Sequence, residues 1–275
     1  MKRIVFFISI LLVLCSCSST PIKVALIRIK GSDTMLKLME ALTAEYRKSN
    51  PGIFFTVKGG GTALGINALI NSDVDICAAS RTFEPNETKL LAEKYGTIGI
   101  STSIARDAVC ILVNKANPIT SIKLSRLKDI FTGKLKDWSY LGINENPIVL
   151  VRRNDNSGTA LHFKMRVLEG EEFESSSIIQ STVEELLEFI EENPNAIGFS
   201  GLIHSKDARI IAVDDVLPTK ENVKNGRYPL SRYLHLYTIS TPTGAVKDFI
   251  DWIISPAGQK IIEGVGFIPL FEIAF

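Results

Sequence analysis

Three times along this 275-residue chain an apolar, strand-like run breaks into a short cluster of Gly, Ser and Thr and then opens an amphipathic helix. The places are Gly31-Ser32-Asp33-Thr34, Gly59-Gly60-Gly61-Thr62 and Asn156-Ser157-Gly158-Thr159. A strand that ends against the start of a helix belongs to an α/β layer, and the first-turn N–H groups of that helix have no partner within it. With a hydroxyl nearby and the positive end of the helix dipole behind it, each junction is suited to an oxyanion. Three of them, with Arg153 four residues before Ser157, describe a pocket that surrounds a small tetrahedral anion without a metal.

The pattern around these junctions is that of two α/β regions. In the first, residues 24–29, 53–57 and 74–79 read as strands. The helix after the first junction places Met35, Leu38, Met39, Leu42 and Tyr46 on one face and stops before Asn50-Pro51-Gly52. A second helix spans 64–70, and Thr82-Phe83-Glu84-Pro85 caps a third that runs to about Tyr95. The second region starts near Ala108. It carries the segment 122–131, a strand over 147–151, a helix from Gly158, an acidic helix over Val183–Glu192 and a strand from Ala196 to Phe199. Residues 220–225 read as a polar surface loop, and Gly244–Ile254 as an amphipathic helix followed by another after Pro256. Anion-type junctions on both regions imply a ligand cleft between two lobes, because open α/β sheets bind where strand C-termini face helix N-termini.

The N-terminus bears on where such a protein works. Lys2-Arg3 precedes an apolar stretch too short to span a bilayer, and Leu14-Cys15-Ser16-Cys17 resembles a bacterial lipobox. Residues 1–16 are thus expected to be a signal peptide, Cys17 the lipidated residue and 17–21 a tether. Losing Lys2 and Arg3 turns the formal net charge from +1 to −1, which excludes nonspecific nucleic-acid binding. The remaining cysteines, Cys77 and Cys110, sit in apolar runs, which is expected of buried free thiols and leaves a single disulfide between them as the alternative, and no Cys/His spacing matches a zinc site.

A phosphate dianion entering a dry cleft must have its lost hydration replaced by many donors. Three helix N-termini supply about +1.5 charges, and one or two arginines complete the neutralisation. Arg152-Arg153-Asn154-Asp155-Asn156-Ser157-Gly158-Thr159 is the most specific stretch. Arg153 offers a bidentate fork that Asp155 can hold in place, Ser157 and Thr159 offer hydroxyls, and Gly158 permits close backbone approach. Ser157 lacks the Gly-x-Ser-x-Gly setting of a hydrolase nucleophile, and His162, His204 and His235 form no triad pattern, which disfavours catalysis.

These segments resemble the substrate-binding lipoproteins of bacterial phosphate ABC transporters. The resemblance is carried by Gly31-Ser32-Asp33-Thr34-Met35, Gly59-Gly60-Gly61-Thr62, Val74-Asp75-Ile76-Cys77-Ala78-Ala79-Ser80-Arg81, Asp107-Ala108-Val109, Arg153 through Thr159, Tyr228-Pro229-Leu230-Ser231-Arg232 and Ser255-Pro256-Ala257-Gly258-Gln259-Lys260, in that order. It implies a two-lobed periplasmic-binding-protein fold of type II, α/β, each lobe a mixed sheet flanked by helices. Lobe one would be 22–106 plus 234–275 and lobe two 107–233. Phosphate contacts would fall on Thr34, Met35 (main chain), Thr62, Ser80, Arg81, Arg153, Ser157, Gly158 and Thr159. The implied partners are inorganic phosphate, an ABC permease with its ATPase, and the membrane through the lipid anchor of a monomer outside the cytoplasmic membrane; no cofactor is implied. In one branch of the family an Asp that accepts the phosphate proton stands where Arg81 follows Ser80 here. Asp33 or Asp155, with Ser32 in support, is the expected substitute. The residues leave open sulfate, molybdate or an organophosphate as ligand, and a ligand-sensing lipoprotein as role.

Overall fold

The computed structural model describes residues 24–205 and 209–272; the expected signal peptide, Cys17 and the tether lie outside them. The chain runs β1 (Ala25–Gly31), α1 (Asp33–Ser49), β2 (Ile53–Lys58), α2 (Thr62–Ile70), β3 (Ile76–Ala79), α3 (Pro85–Tyr95) and β4 (Ile100–Val113). There follow β5 (Ser121–Ile122), α4 (Leu124–Phe131), β6 (Val149–Arg153), α5 (Gly158–Arg166), β7 (Ile178–Gln180), α6 (Val183–Glu192), β8 (Ala196–Gly201) and β9 (Arg209–Val213). The last elements are α7 (Lys220–Lys224), β10 (Ser231–Thr238), α8 (Gly244–Ile254) and α9 (Pro256–Val265).

Sequence periodicity explains the first half directly. In β1, Ile27 and Ile29 alternate inward and meet the stripe of α1, whose Met35, Leu38, Met39, Leu42 and Tyr46 are all buried. The helix ends where Asn50 folds back to donate its Nδ2 to the Tyr46 carbonyl at 3.0 Å. Helices α8 and α9 complete this core with Phe249, Ile253 and Ile262, while α2 and α3 close the other face through Ile66, Leu69 and Leu91. The second half has its own cores. One gathers Val109, Ile111, Phe131, Trp138, Phe163 and Phe199, with Phe163 stacked on Phe199 at 4.0 Å; the other holds Cys110, Leu112, Val151, Leu186 and Ile190. Among the described residues the strands join in one mixed, ten-stranded hydrogen-bonded sheet that passes from the first half to the second at β10 and β4. Strands β2, β1 and β3 are parallel, β10 lies antiparallel between β3 and β4, β4 pairs antiparallel with β8 and β9, and β8, β6 and β7 run parallel.

Strand β4 links the halves. Ile104 and Ala105 lie in the first core; Val109, Ile111 and Val113 alternate with Cys110 and Leu112 between the two cores of the second. The sequence reading starts a new region at Ala108, whereas a single 14-residue strand runs through that point. Strand β10, its antiparallel partner, is absent from that reading, as are β5, β7 and β9. The expected loop at 220–225 is instead the short helix α7, started by Thr219, whose Oγ1 accepts the Asn222 N–H at 3.1 Å, and anchored by buried Val223. Cys77 and Cys110 are buried free thiols, and burial pushes both pKa values up. Among the described residues no helix is long and apolar enough to cross a membrane.

The first two junctions are held together by Gly65 of α2. A Cβ there would lie 2.5 Å from Gly31 Cα and 2.7 Å from the Lys30 carbonyl oxygen, so α2 reaches β1 only because that position has no side chain. Gly65→Ala is expected to lower stability by about 1–3 kcal/mol, measured by chemical denaturation; an unchanged midpoint would contradict so close a helix–strand contact.

Candidate functional site

The C-terminal ends of β1, β3 and β6 and the N-termini of α1, α2 and α5 converge where the two halves face one another. Ser32 starts α1 and Gly61 starts α2, and neither caps its helix with a side chain. Ser157 starts α5, and its Oγ accepts the Ala160 N–H at 3.3 Å. Three positive helix ends thus aim at one place.

Contacts across the cleft show how tightly the halves meet. Thr34 Oγ1 lies 3.2 Å from Thr159 Oγ1, and the Ala63 N–H donates to the Asn156 carbonyl at 3.3 Å. A Cβ on Gly158 would stand 2.2 Å from Thr62 Oγ1 and 2.5 Å from Ser80 Oγ. On the first half, Ser32 Oγ donates to Ser80 Oγ at 3.1 Å, the Ser80 N–H donates to Thr62 Oγ1 at 3.2 Å, and Thr62 Oγ1 and Ser80 Oγ are 3.4 Å apart. Ser32, Thr34, Met35, Thr62, Ser80, Arg153, Ser157 and Thr159 are all buried. Of the expected site residues, the structure therefore brings Ser32, Thr34, Thr62, Ser80, Ser157, Gly158 and Thr159 into one cluster.

The charged residues are arranged differently from the sequence expectation. Arg153 pairs across the cleft with Asp33, Nη2 to Oδ2 at 2.8 Å, and its Nε is buried without a partner. Asp33, 29% exposed, also accepts the Gly60 N–H at 2.6 Å, so it belongs to the site. Asp155 does not hold Arg153. It accepts from Arg152 Nη1 at 2.8 Å and is 85% exposed, because the Asn154-Asp155-Asn156 turn points it outward while Arg152 lies over the Phe173 ring. Arg81 also departs from expectation: its fork closes on Glu87, at 2.7 Å for both nitrogens, because Glu87 in the first turn of α3 faces the end of β3. Only its Nε is left buried and unpartnered.

Two residues of the site escaped sequence reasoning. Arg232 of β10 and Asp107 of β4 are register partners, 2% and 0% exposed, joined from Arg232 Nε and Nη2 to Asp107 Oδ2 at 2.9 and 2.7 Å. Arg232 Nη1 donates to Thr159 Oγ1 at 3.0 Å and to the Ser80 carbonyl at 3.3 Å. The available signal was an ionisable residue inside an otherwise apolar strand run, which has to be paired if it is buried. Arg81, Arg153 and Arg232 thus each have a carboxylate partner, which leaves helix ends, hydroxyls and the unpartnered Nε atoms of Arg81 and Arg153 as the attraction for an anion.

The histidines play supporting parts. His204 Nε2 lies 3.3 Å from the Thr34 carbonyl, and burial lowers its pKa. His162 is pushed down to about 3 by burial and by the nearby Arg232 and Arg166, so it is neutral, with Nε2 unpartnered. His235 bonds Ser101 and Ser103 on β4. A cavity of about 500 Å³ adjoins the cluster, bordered by Asp33, Lys37, Gly60, Arg153, Asn156 and His204.

Comparison with known proteins places this geometry among relatives. Residues 18–257 match the family model described as PBP superfamily domain. The chain is 30% identical over 251 residues to the phosphate-binding protein PstS of Bacillus subtilis (strain 168), across 89% of this chain and 80% of that one. It is 27% identical over 256 residues to the phosphate-binding protein PstS of Borreliella burgdorferi, across 88% and 89%. Among solved structures, a substrate-binding protein from Clostridium perfringens with bound phosphate is 31% identical with a TM-score of 0.81, covering 90% of this chain and 100% of that chain. An ABC-type phosphate transport receptor from Vibrio cholerae is 26% identical with a TM-score of 0.76, covering 88% and 99%.

Gly158→Ala tests the cross-cleft geometry. The added methyl meets two hydroxyls at under 3 Å. The variant is expected to keep its fold by circular dichroism and to lose binding of inorganic phosphate by about 5- to 150-fold in calorimetric titration, as overpacking by a methyl costs roughly 1–3 kcal/mol. Undiminished binding would contradict the contact.

Proposed function

We propose, since this chain belongs to the PBP superfamily and stands beside its phosphate-binding proteins, that it captures inorganic phosphate outside the cytoplasmic membrane and delivers it to an ABC permease with its ATPase. The observation that carries this reading is the meeting of three helix N-termini and five site hydroxyls, on Thr34, Thr62, Ser80, Ser157 and Thr159, across one buried cleft. The first three come from one half and the last two from the other, so only closure assembles the set, and ligand favours the closed form.

In this proposal the lobes divide as 22–106 plus 234–275 and 107–233, which the partition of the cores between Ala105 and Ala108 and between Leu230 and Leu234 supports. The main chain at Thr34 and Gly158 and the hydroxyls of Thr34, Thr62, Ser80, Ser157 and Thr159 donate to the anion, while the Met35 N–H, expected to join them, donates to the Ser32 carbonyl at 3.0 Å and reaches the anion only by sharing that proton. Arg153 adds its free Nε, and Arg81, with its fork on Glu87, acts as a strut at the end of β3. Asp33 is the carboxylate placed to accept the ligand's proton, which sulfate lacks at neutral pH; Asp155, turned to solvent, is not. The site binds without chemistry: His204 faces a carbonyl rather than a serine hydroxyl. Lipidation of Cys17 holds the monomer at the envelope.

Calorimetric titration of the protein with phosphate and then sulfate tests the proposal. Binding of one phosphate per chain, with sulfate far weaker and the gap narrowed in Asp33→Asn, is expected. Tighter binding of sulfate, or no binding of either anion by folded, ligand-free protein, would overturn it.

A further inference from the structure

Arg232 and Asp107 lie on the two strands that pass from one half of the molecule to the other, directly opposite in register. A pair buried this completely is expensive to desolvate and would be matched in stability by well-packed apolar residues, so its placement calls for another reason. The geometry supplies one. Asp107 holds the guanidinium through Nε and Nη2 and is itself fixed by the Leu202 N–H to its Oδ1 at 3.3 Å. The remaining nitrogen, Nη1, directs its protons to Ser80 O on one side of the cleft and Thr159 Oγ1 on the other.

An arginine has no acceptor, so in the second of these contacts Thr159 Oγ1 must accept. Its own proton is then turned away from Arg232, toward the place where Thr34 Oγ1 stands 3.2 Å off and the anion would lie. A hydroxyl that accepts from a cation and donates to an anion is strengthened in both bonds. A lysine cannot reproduce this, because it has no planar fork to hold Asp107 and reach both Ser80 and Thr159 at once. We propose that Arg232, oriented by Asp107, is a positioning residue of the anion site that sets Thr159 as a donor to the bound anion. The role rests on the phosphate-binding reading above.

The test is a mutant cycle read by calorimetric affinity for inorganic phosphate. Its members are the wild type, Thr159→Val, the paired change Arg232→Met with Asp107→Leu, which leaves no charge buried alone, and their combination. Each of the first two variants is expected to bind about 10- to 100-fold more weakly, the range for one hydrogen bond to a charged group. The combination is expected to be no weaker than the weaker of the two, because Arg232 acts through the Thr159 hydroxyl. Should the paired change fail to fold, Arg232→Lys takes its place with the same expectation. Folded variants that bind like the wild type, or losses that multiply in the combination, overturn the role. Wild-type protein that binds no phosphate overturns the functional reading itself, a result distinct from either.

Discussion

A multiply charged anion gives up hydration when it enters a dry cleft, and no single side chain returns it. The fold answers with backbone. Three helices start at the same point because three strands end there, and each start leaves N–H groups that no carbonyl of its own helix can take. The Gly-rich turns, the close packing of Gly65 on β1 and the approach of Gly158 to Thr62 and Ser80 all follow from bringing those helix ends into contact range. The side chains then add hydroxyls, which donate without carrying charge of their own.

The arginines fit the same logic. Arg81, Arg153 and Arg232 are each matched by an acid, on Glu87, Asp33 and Asp107. Balanced pairs keep the cleft from carrying a large unpaired positive charge, which would itself be costly to bury. The pairs also tie elements together: Arg81 links β3 to α3, Asp33 links α1 to β6, and Arg232 links the two crossing strands to both sides of the site. Of these acids, Asp33 is the one that lies at the cleft and remains partly exposed.

Much of the first half was legible in the sequence because its signals are local. The stripe from Met35 to Tyr46 and the alternation of Ile27 and Ile29 follow from helix and strand periods alone. The three junctions were legible for the same reason, and their hydroxyl residues do meet. Strand β4 was not, since an apolar run that serves two cores in succession has no break to mark the crossing, and β10 is defined only by pairing with it. The partners of the charges were illegible in another way. Arg153 is nearer in sequence to Asp155 than to Asp33, yet the turn sends Asp155 outward and the contact between the halves sets Asp33 beside Arg153. The same nonlocality hid Arg232 and Asp107, 125 residues apart.

The central claim is that one small oxyanion is held jointly by both halves through the three helix N-termini. A crystal structure of the protein grown with phosphate tests it most directly. The account predicts the anion within hydrogen-bond distance of Thr34, Thr62 and Ser80 on one side and of Arg153, Ser157 and Thr159 on the other. An anion bound by one half alone, or outside the cleft altogether, would contradict it.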